Sequence, residues 1–287
     1  MGAKSPCVDV IIPVYCEEPE ALRATLEALL AQDHPPSKIY LIDDCSPVPA
    51  RVPENLLAGG KVCLFRLEKN GGPSAARNFG IAKSTAPFVA CVDSEILPAK
   101  NWIAACCRHF AAHPEAGVAY TRLVPHHPER LLTRWRMRFQ EPKFPAKSGQ
   151  VPFAPGHALM FRREAIERVA GFDARRRCAE DSDVCFRIAS AGWETHFVAD
   201  SECISIQVDV VSLLASKELT RSAWESPEDY PLSRFILQRT KWNLVRMGMN
   251  LAKLRLTLVP VDIAVWAASI HMAISRTLRS RGQKGKA

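Results

Sequence analysis

Short apolar segments that end in acidic residues recur along this chain, and they constrain its fold more than any other feature. Strand-like segments cover residues 8–15, 39–42 and 88–92, and a fourth acidic pair opens a helix-like segment; the acids are Glu17 and Glu18, Asp43 and Asp44, Asp93 and Glu95, and Glu180 and Asp181. Ligands of open α/β sheets bind at the carboxyl ends of the strands. The pattern therefore predicts one shared site, suited to a hard metal ion, sugar hydroxyls and a reacting proton.

The order of elements predicts an α/β fold with a mostly parallel sheet flanked by helices. In the first part, strands over 8–14, 39–42, 61–67 and 88–92 alternate with helices that begin at Pro19 and cover 74–83 and 99–112. Further on, the patterns predict a strand ending at 161, helices over 129–140, 162–169 and 180–191, and strands over 196–199 and 203–208. We expect a domain over 1–215 and a helical C-terminal extension over 216–287.

Composition narrows the class of protein and of partner. The 287 residues are 47% hydrophobic and 24% charged, which is ordinary for a folded protein. The net charge of +8 favours an anionic partner, such as nucleotide phosphates or acidic lipid. No nucleic-acid-binding motif accompanies that charge, so we expect no nucleic-acid partner. Ten cysteines without C-x-x-C spacing, and an N-terminus without an apolar signal core, predict a reducing, cytoplasmic setting.

Five segments, in the same order, resemble the family 2 glycosyltransferases of the GT-A fold, and the resemblance covers roughly residues 8–212. They are the opening strand 8–15, the paired aspartates of 41–46, the Asn-Gly and Ala-Arg-Asn segment 69–81, Asp93 with Glu95, and Glu180 with Asp181. The resemblance implies a Rossmann-like sheet and an enzyme that moves a sugar from a nucleotide diphosphate donor with inversion.

The resemblance also implies which residues bind the nucleotide: Pro13, Tyr15, Glu18, Asp44, Asn70, Gly71, Arg77 and Asp93. In that reading Tyr15 packs on the base and Asp44 accepts a hydrogen bond from it, although a turn aspartate would look the same. Glu18 either contacts the ribose or supports the following helix. Glycines let the backbone approach a ligand, and Arg77 could reach a pyrophosphate from the next helix or be solvated.

Asp93 and Glu95 are the expected ligands of Mg²⁺ or Mn²⁺. On an extended chain their side chains would lie on the same side, and one or two carboxylates with diphosphate oxygens suit such an ion. The chain departs from the family here, because Glu95 stands where the second aspartate is usual. Ser205 or Gln207 also stands where the family has a histidine.

The resemblance implies a catalytic role for the acidic pair that opens the helix over 180–191. Asp181 is the expected general base for the acceptor hydroxyl, and Glu180 is the alternative base or orients the acceptor. Gly156 and His157 match the segment that lines the donor and acceptor pocket, although a lone histidine is often structural.

Two segments bear on a membrane. The helix over 129–140 places Leu131, Trp135 and Phe139 on one face beside three arginines, which is typical of a membrane-surface helix or of one that covers a core. Residues 256–274 are mostly apolar, but Asp262, Ser269 and His271 interrupt them. That composition favours an interfacial or docked helix over a spanning one.

Together these observations predict an inverting glycosyltransferase. It would move a sugar from a nucleotide diphosphate donor, most simply a UDP-sugar, to a hydroxyl acceptor of a glycan or lipid-linked sugar at the inner face of a membrane. The alternative is a non-catalytic nucleotide-sugar-binding scaffold of the same fold. A nucleotidyltransferase is disfavoured, because the first strand leads into Pro13, Tyr15 and Glu17 rather than a glycine-rich basic loop.

Overall fold

A computed structural model describes residues 6–138, 143–176, 179–215 and 232–284. Within these residues, nine strands form one sheet in the order β3-β2-β1-β4-β8-β6-β9-β5, and β7 pairs with β9 at the side. The strands are β1 Val8–Val14, β2 Lys38–Asp43, β3 Val62–Arg66, β4 Phe88–Val92, β5 Ile96–Pro98, β6 Ala116–Pro125, β7 Gly149–Val151, β8 Ala158–Arg162 and β9 Glu194–Ser205.

Helices cover the sheet and continue past it. They are α1 Pro19–Leu30, α2 Glu54–Leu57, α3 Pro73–Lys83, α4 Trp102–Ala112, α5 Leu131–Met137, α6 Arg163–Arg168, α7 Glu180–Ser190, α8 Leu232–Ala252 and α9 Val259–Lys284. As expected, Pro19 occupies the first turn of α1 and its apolar face is buried on the core. Gly192, which has a φ of 90°, follows the end of α7 as a C-terminal glycine does.

Strand direction confirms the predicted mostly parallel sheet. β1 is parallel to β2 and β4, and β2 is parallel to β3. β8 is antiparallel to both β4 and β6, and β9 is parallel to β6, so β6 and β9 run in the same direction as β1. The carboxyl ends of β1, β2 and β4 therefore share one edge, as the recurring acidic residues predicted.

The structure corrects the sequence prediction after residue 95. Strands expected over 196–199 and 203–208 are one strand, β9, which stays paired with β6 across a register shift between Thr121 and Arg122. No strand was predicted between residues 112 and 129, where the structure has β6. The helix expected over 129–140 is the shorter α5, and Phe139 and Gln140 lie outside the described residues.

The chain divides into two compact units. The first comprises residues 1–126 and 140–207 and contains the sheet, and the second comprises 127–139 and 208–287. The core of the first unit is the apolar interior of β1, β2, β4, β6 and β8 with the helices that cover them. Burial of these side chains supplies the main stabilising free energy of the unit.

The second unit has a small apolar cluster built on Trp135, Leu214, Leu258 and Val265. Inside it, the carboxylate of Asp262 accepts hydrogen bonds from Trp135 Nε1 at 2.8 Å, and from Asn250 and Arg138. Of the three arginines predicted beside the apolar face, Arg130 and Arg134 are exposed, whereas Arg138 pairs with Asp262. Arg136, which was not one of the three, pairs with Asp209 at 2.8 Å. Buried charges need such partners.

Residues Leu256–Ser275 are long and apolar enough to cross a membrane by length and composition alone, and a third of their apolar window is buried within the protein. Asp262 lies within this segment and is 1% exposed. Its hydrogen bonds to Trp135 and Asn250 make the segment a folded part of the second unit.

Candidate functional site

Asp43, the last residue of β2, and Asp44, which follows it, have different structural roles. Asp43 builds the turn: its carboxylate accepts the backbone N–H groups of Ser46 at 2.8 Å and Ala50 at 3.1 Å, and the guanidinium of Arg66. Burial alone would raise the pKa of Asp43, but these hydrogen bonds hold it below its usual value. Asp43 is therefore a structural anion that fixes the loop after β2.

Asp44 holds the glycine loop that precedes α3. One carboxylate oxygen accepts the N–H of Gly71 at 2.8 Å and the other accepts that of Gly72 at 2.7 Å. The Asn70 side chain donates to the Asp44 carbonyl at 3.1 Å. Gly72 has a φ of 82°, a left-handed conformation that favours glycine. The structure thus brings together Asp44, Asn70 and Gly71, which were predicted to bind nucleotide.

The predicted base-stacking residue follows β1 directly. Tyr15 is 48% exposed beside the loop after β2, since the next residue, Cys16, donates its N–H to Ser46 at 3.1 Å. Pro13 lies in β1 opposite Ile42 of β2. Glu18 is the N-cap residue of α1, and its side chain makes no capping hydrogen bond. An exposed aromatic ring at this edge can stack on a base.

Arg77 bridges two acidic segments that are far apart in sequence. Its Nη1 donates to Glu180 Oε1 at 2.8 Å and its Nη2 donates to Asp93 Oδ1 at 2.8 Å. The side chain is 5% exposed, so the solvated alternative is wrong. Burial alone would lower the pKa of Arg77, but Asp93 and Glu180 raise it overall, which keeps the guanidinium charged.

Phe172 forms one wall of the same arginine site. Its ring centroid lies 5.3 Å from the Arg77 guanidinium carbon, a cation–π distance. Asn78, the next residue along α3, donates to the Phe172 carbonyl at 2.7 Å and accepts the Phe172 N–H at 2.8 Å. Phe172 was not among the predicted site residues, because nothing in the local sequence pattern places it against α3.

Asp93 and Glu95 lie in a turn, so the expectation that they project from one extended chain is wrong. The N–H of Ile96 donates to the Asp93 carbonyl at 3.1 Å, which closes the turn between β4 and β5. The Glu95 carbonyl accepts the N–H of Ile206 at 3.1 Å. This contact brings Ser205 and Gln207, the residues at the family's histidine position, beside the turn.

The carboxylate of Asp181 is fixed by two backbone donors at the start of α7. Gly156 N–H donates to Oδ2 and Ser182 N–H donates to Oδ1, each at 2.8 Å. A Cβ on Gly156 would lie 3.1 Å from the Asp181 Cβ and 3.3 Å from Oδ2, so glycine permits this close approach. Burial, and then the charge of Glu180, raise the pKa of Asp181 above its usual 3.8.

The start of α7 also carries structural ion pairs. Ala179, the N-cap residue, is left-handed with a φ of 54°, and Glu180 directs its carboxylate to Arg77. Asp183 pairs with Arg176 at 2.9 Å and with Arg187 at 2.8 Å. The three neighbouring acids therefore have different partners. Glu180 pairs with a buried arginine, Asp183 pairs with two partly exposed arginines, and Asp181 accepts hydrogen bonds from backbone N–H groups.

His157 lies inside the protein beside these groups. Its Nε2 is 3.2 Å from the Thr121 carbonyl, so that nitrogen donates, and Phe144 packs edge-on against the ring at 6.0 Å. Burial lowers the pKa of His157 to about 4, so the imidazole is neutral near pH 7. Its backbone carbonyl accepts the Asp93 N–H at 3.0 Å. His157 therefore links β8 to the Asp93 turn.

A family sequence model and individual proteins of similar sequence agree on one family. The sequence model described as "Glycosyl transferase family 2" matches residues 9–170. The pre-mycofactocin glycosyltransferase of Mycobacterium tuberculosis is 28% identical over 193 residues, 64% of this chain and 39% of that protein. The cellulose synthase catalytic subunit of Komagataeibacter sucrofermentans is 24% identical over 75% of this chain and 29% of its own length. The chain spans less than half the length of these relatives.

Solved structures agree on the fold. The mannosyltransferase PcManGT from Pyrobaculum calidifontis, in complex with GDP-Man and Mn²⁺, aligns with a TM-score of 0.57 at 20% identity over 98% of this chain and 81% of its own. GalNAc-T7 with UDP, GalNAc and Mn²⁺ aligns with a TM-score of 0.57 at 18% identity over 70% of this chain and 43% of its own. These similarities confirm the predicted GT-A fold.

Proposed function

Because this chain belongs to glycosyl transferase family 2, we propose that it transfers a sugar from a nucleotide diphosphate donor to a hydroxyl acceptor with inversion. A UDP-sugar is the foremost donor candidate, since GalNAc-T7 was solved with UDP, while PcManGT was solved with GDP-Man. The acceptor is a hydroxyl of a glycan or of a lipid-linked sugar.

The observation that carries the proposal is the arginine bridge. Arg77 binds Asp93 and Glu180 at 2.8 Å each, and these carboxylates come from segments 87 residues apart in the chain (180 minus 93). Asp181, next to Glu180, is thereby held close to the Asp93 turn. We infer that these acids, which are far apart in sequence, belong to one site at the carboxyl edge of the sheet, where open α/β folds bind ligands.

Asp181 is the group best suited to act as base. As the acceptor oxygen bonds to the anomeric carbon, the bond from that carbon to the diphosphate oxygen breaks, and the hydroxyl proton passes to the Asp181 carboxylate. Hydrogen bonds from Gly156 and Ser182 fix the carboxylate, and each oxygen keeps a lone pair for the hydroxyl. Its raised pKa makes it a stronger base than an ordinary aspartate.

In this proposal, the loops after β1 and β2 bind the donor. Tyr15 offers an exposed ring for the base, and the Asp44 carboxylate fixes the Gly71 and Gly72 backbone beside the start of α3. A helix N-terminus favours the negative charge of a diphosphate. Arg77, buried against two carboxylates, positions Asp93 and Glu180 in this proposal.

The Asp93 turn fits Mg²⁺ or Mn²⁺. The Asp93 carboxylate is 43% exposed although one oxygen binds Arg77, and Glu95 has no side-chain hydrogen bond or ion pair among the described residues. Carboxylate oxygens are the donors that these hard cations prefer. When bound, such a cation would offset the charge on the departing diphosphate. Asp93 and Glu95 would hold it.

We also propose a membrane-surface location on the cytoplasmic side, and the second unit supports the membrane-surface part of this proposal. Helix α8 buries Asn243 and Asn250 while it exposes Leu237, Trp242, Leu244, Val245, Met249 and Leu251. Exposed Lys241, Lys253 and Arg255 lie among or beside these apolar side chains. Apolar and basic side chains on one surface match an anionic lipid interface. The buried, paired Asp262 argues against insertion of α9 as a span.

Thermal unfolding with UDP, GDP and dTDP, each with and without Mn²⁺, tests the donor site. We expect one nucleotide to raise the Tm, more with Mn²⁺ than without, because a ligand that binds only the native state stabilises it. Asp93→Asn should remove the Mn²⁺-dependent part of the shift, whereas Asp33→Asn, a surface control, should retain it. A Tm shift that is the same with and without Mn²⁺ for every nucleotide would contradict the assignment of Asp93 as a metal ligand.

Turnover separates an enzyme from the scaffold alternative. With the stabilising nucleotide's sugar conjugates as donors, release of nucleoside diphosphate reports transfer to an added acceptor or to water. We expect release by the wild type and at least a hundredfold slower release by Asp181→Asn, which should still bind nucleotide. Nucleotide binding without any release by the wild type would favour the non-catalytic scaffold.

A further inference from the structure

A second cluster of ionisable side chains lies away from the proposed donor site. His113 follows the end of α4, Glu115 precedes β6, and His196 lies near the start of β9. β6 and β9 run parallel to β4, so these residues lie toward the amino ends of the strands, at the edge opposite Asp93. The proposed transfer reaction has no use for them.

The donor atoms of the three residues converge. One ligand atom from each of His113, Glu115 and His196 lies within 4.8 Å of the other two. In a tetrahedral site with metal–ligand bonds of about 2.0–2.2 Å, the ligand atoms would be roughly 3.3–3.6 Å apart. Small side-chain rotations close that difference, since His113 and Glu115 are 41% and 44% exposed and the His113 ring already packs 5.1 Å from the buried His196 ring.

We propose that His113, Glu115 and His196 form a binding site for Zn²⁺ or a similar borderline transition metal. Two imidazoles and one carboxylate suit zinc, whereas Mg²⁺ and Mn²⁺ prefer oxygen ligands such as those of the Asp93 turn. The protein would then carry two cation sites of different chemistry at opposite edges of the sheet. The site would tie the end of α4 to the starts of β6 and β9.

The surroundings of His196 supply the outer contacts that metal-bound histidines use. Its Nδ1 lies 2.8 Å from Nε2 of His109, and its Nε2 lies 2.8 Å from a Glu194 oxygen. With the metal on Nε2, the Nδ1–H donates to His109, which fixes the ring and its tautomer. Glu194 then lies beside the metal-bound nitrogen, although it is not one of the three converging residues.

Simple ion pairing is the competing explanation, and the chain contains a matched control for it. His113 pairs with Glu115 at 2.9 Å, and His127 pairs with Glu129 at 3.2 Å with the same two-residue spacing. Both histidines are 41% exposed. His127 belongs to no cluster of three metal-binding side chains among the described residues. If the zinc site exists, replacement of His113 should weaken Zn²⁺ binding and replacement of His127 should not. If His113 only forms an ion pair, the two replacements should have the same effect.

Zinc titration of the full-length, untagged protein after chelator dialysis tests the proposal, with calorimetry and the visible absorption of a Co²⁺ substitute as readouts. We expect one Zn²⁺ per chain, a tetrahedral Co²⁺ spectrum and no competition by Mg²⁺. His113→Ala and Glu115→Gln, both surface changes, should each weaken Zn²⁺ affinity by more than about tenfold, and His109→Asn by about 10–100-fold. His127→Ala and Asp93→Asn should bind as the wild type does.

Three results would overturn the site. They are no Zn²⁺ binding by the wild type, equal affinity in His113→Ala and the wild type, and loss of binding in Asp93→Asn alone. Circular dichroism of each variant establishes that it is folded. Should His109→Asn fail to fold, the two surface variants still decide the question.

Discussion

The guanidinium of Arg77 lies 2.8 Å from the carboxylate of Glu180, a residue 103 positions later in the chain. Arg77 sits one turn into α3, and Glu180 opens α7, so this ion pair fixes two helices of the sheet unit against each other. The same guanidinium holds Asp93. A single buried cation therefore pairs with acids from two of the four acidic segments that the sequence analysis identified.

Arg77→Ala should destabilise the protein and disable the site. Removal of one partner from a buried pair costs roughly 3–5 kcal/mol, and we expect less here, because Asp93 is 43% exposed and can be solvated. Asp93 and Glu180 would then repel each other, so nucleotide binding should also weaken. Urea unfolding and nucleotide-dependent Tm shifts measure the two effects.

Arg77→Lys separates charge from geometry. A lysine keeps the positive charge but offers one ammonium where arginine offers two directed N–H groups, so it cannot bridge both carboxylates equally well. We expect partial recovery of stability with little recovery of turnover. Arg66→Lys is the control, since Arg66 binds Asp43 outside this bridge. Full activity of Arg77→Lys would show that the bridge acts through charge alone.

The first half of the fold follows from the sequence because its signals are local. β1, β2 and β4 are largely apolar, and acidic residues end or follow each of them, so these strands and their shared edge could be predicted. β6 was missed, because its residues from Thr121 onward are mixed in polarity and pair with β9, whereas β8 pairs only with Val118–Tyr120. Such pairing is not encoded in the segment itself.

Asp181→Asn should abolish transfer while leaving the protein folded. The asparagine keeps the size of the side chain but cannot take a proton, and general-base contributions are typically about 10²–10⁴-fold in rate. Burial raises the pKa of Asp181, which means that the folded state disfavours its charge. Asparagine removes this cost near pH 7, but its NH₂ group would face one of the two backbone N–H donors that the carboxylate accepts, so the Tm should fall slightly rather than rise.

The pH dependence gives a second readout for Asp181. A base loses activity as pH falls through its pKa, so the acid limb of kcat/KM should lie above the usual aspartate value of 3.8. The stabilising contribution of protonated Asp181 is present at low pH and is lost as pH rises through the raised pKa. In Asp181→Asn this limb should be absent. Its persistence in the residual activity would assign the limb to another acid.

Gly156→Ala should slow transfer more than it lowers stability. The added Cβ would lie 3.1 Å from the Asp181 Cβ, so Asp181 has to move by a few tenths of an ångström. A displacement of about 1 Å can cost roughly 10²-fold in rate, so we expect a loss of roughly tenfold in kcat. Gly59→Ala is the control, because nothing lies within 4 Å of its added Cβ.

The details of the site were less predictable than its position. Asp93 and Glu95 are two residues apart, but spacing alone does not distinguish an extended strand from the turn closed by Ile96. The burial of Arg77 against Phe172 likewise depends on a segment nearly a hundred residues away. Residue type and order predict which segments meet, whereas hydrogen-bond partners depend on tertiary contacts that no local pattern contains.

Trp242→Glu should weaken binding to anionic vesicles without unfolding the second unit. Trp242 is 53% exposed on α8, so its replacement should change stability by no more than about 0.5 kcal/mol. The substitution removes an aromatic ring that would be buried in the lipid interface. It also adds a negative charge, which anionic lipid repels by about 1 kcal/mol, so binding should fall roughly tenfold or more. Co-sedimentation with phosphatidylglycerol vesicles measures this, with Val48→Glu, 71% exposed in the first unit, as control. Equal sedimentation of both variants and the wild type would exclude α8 as the lipid-binding surface.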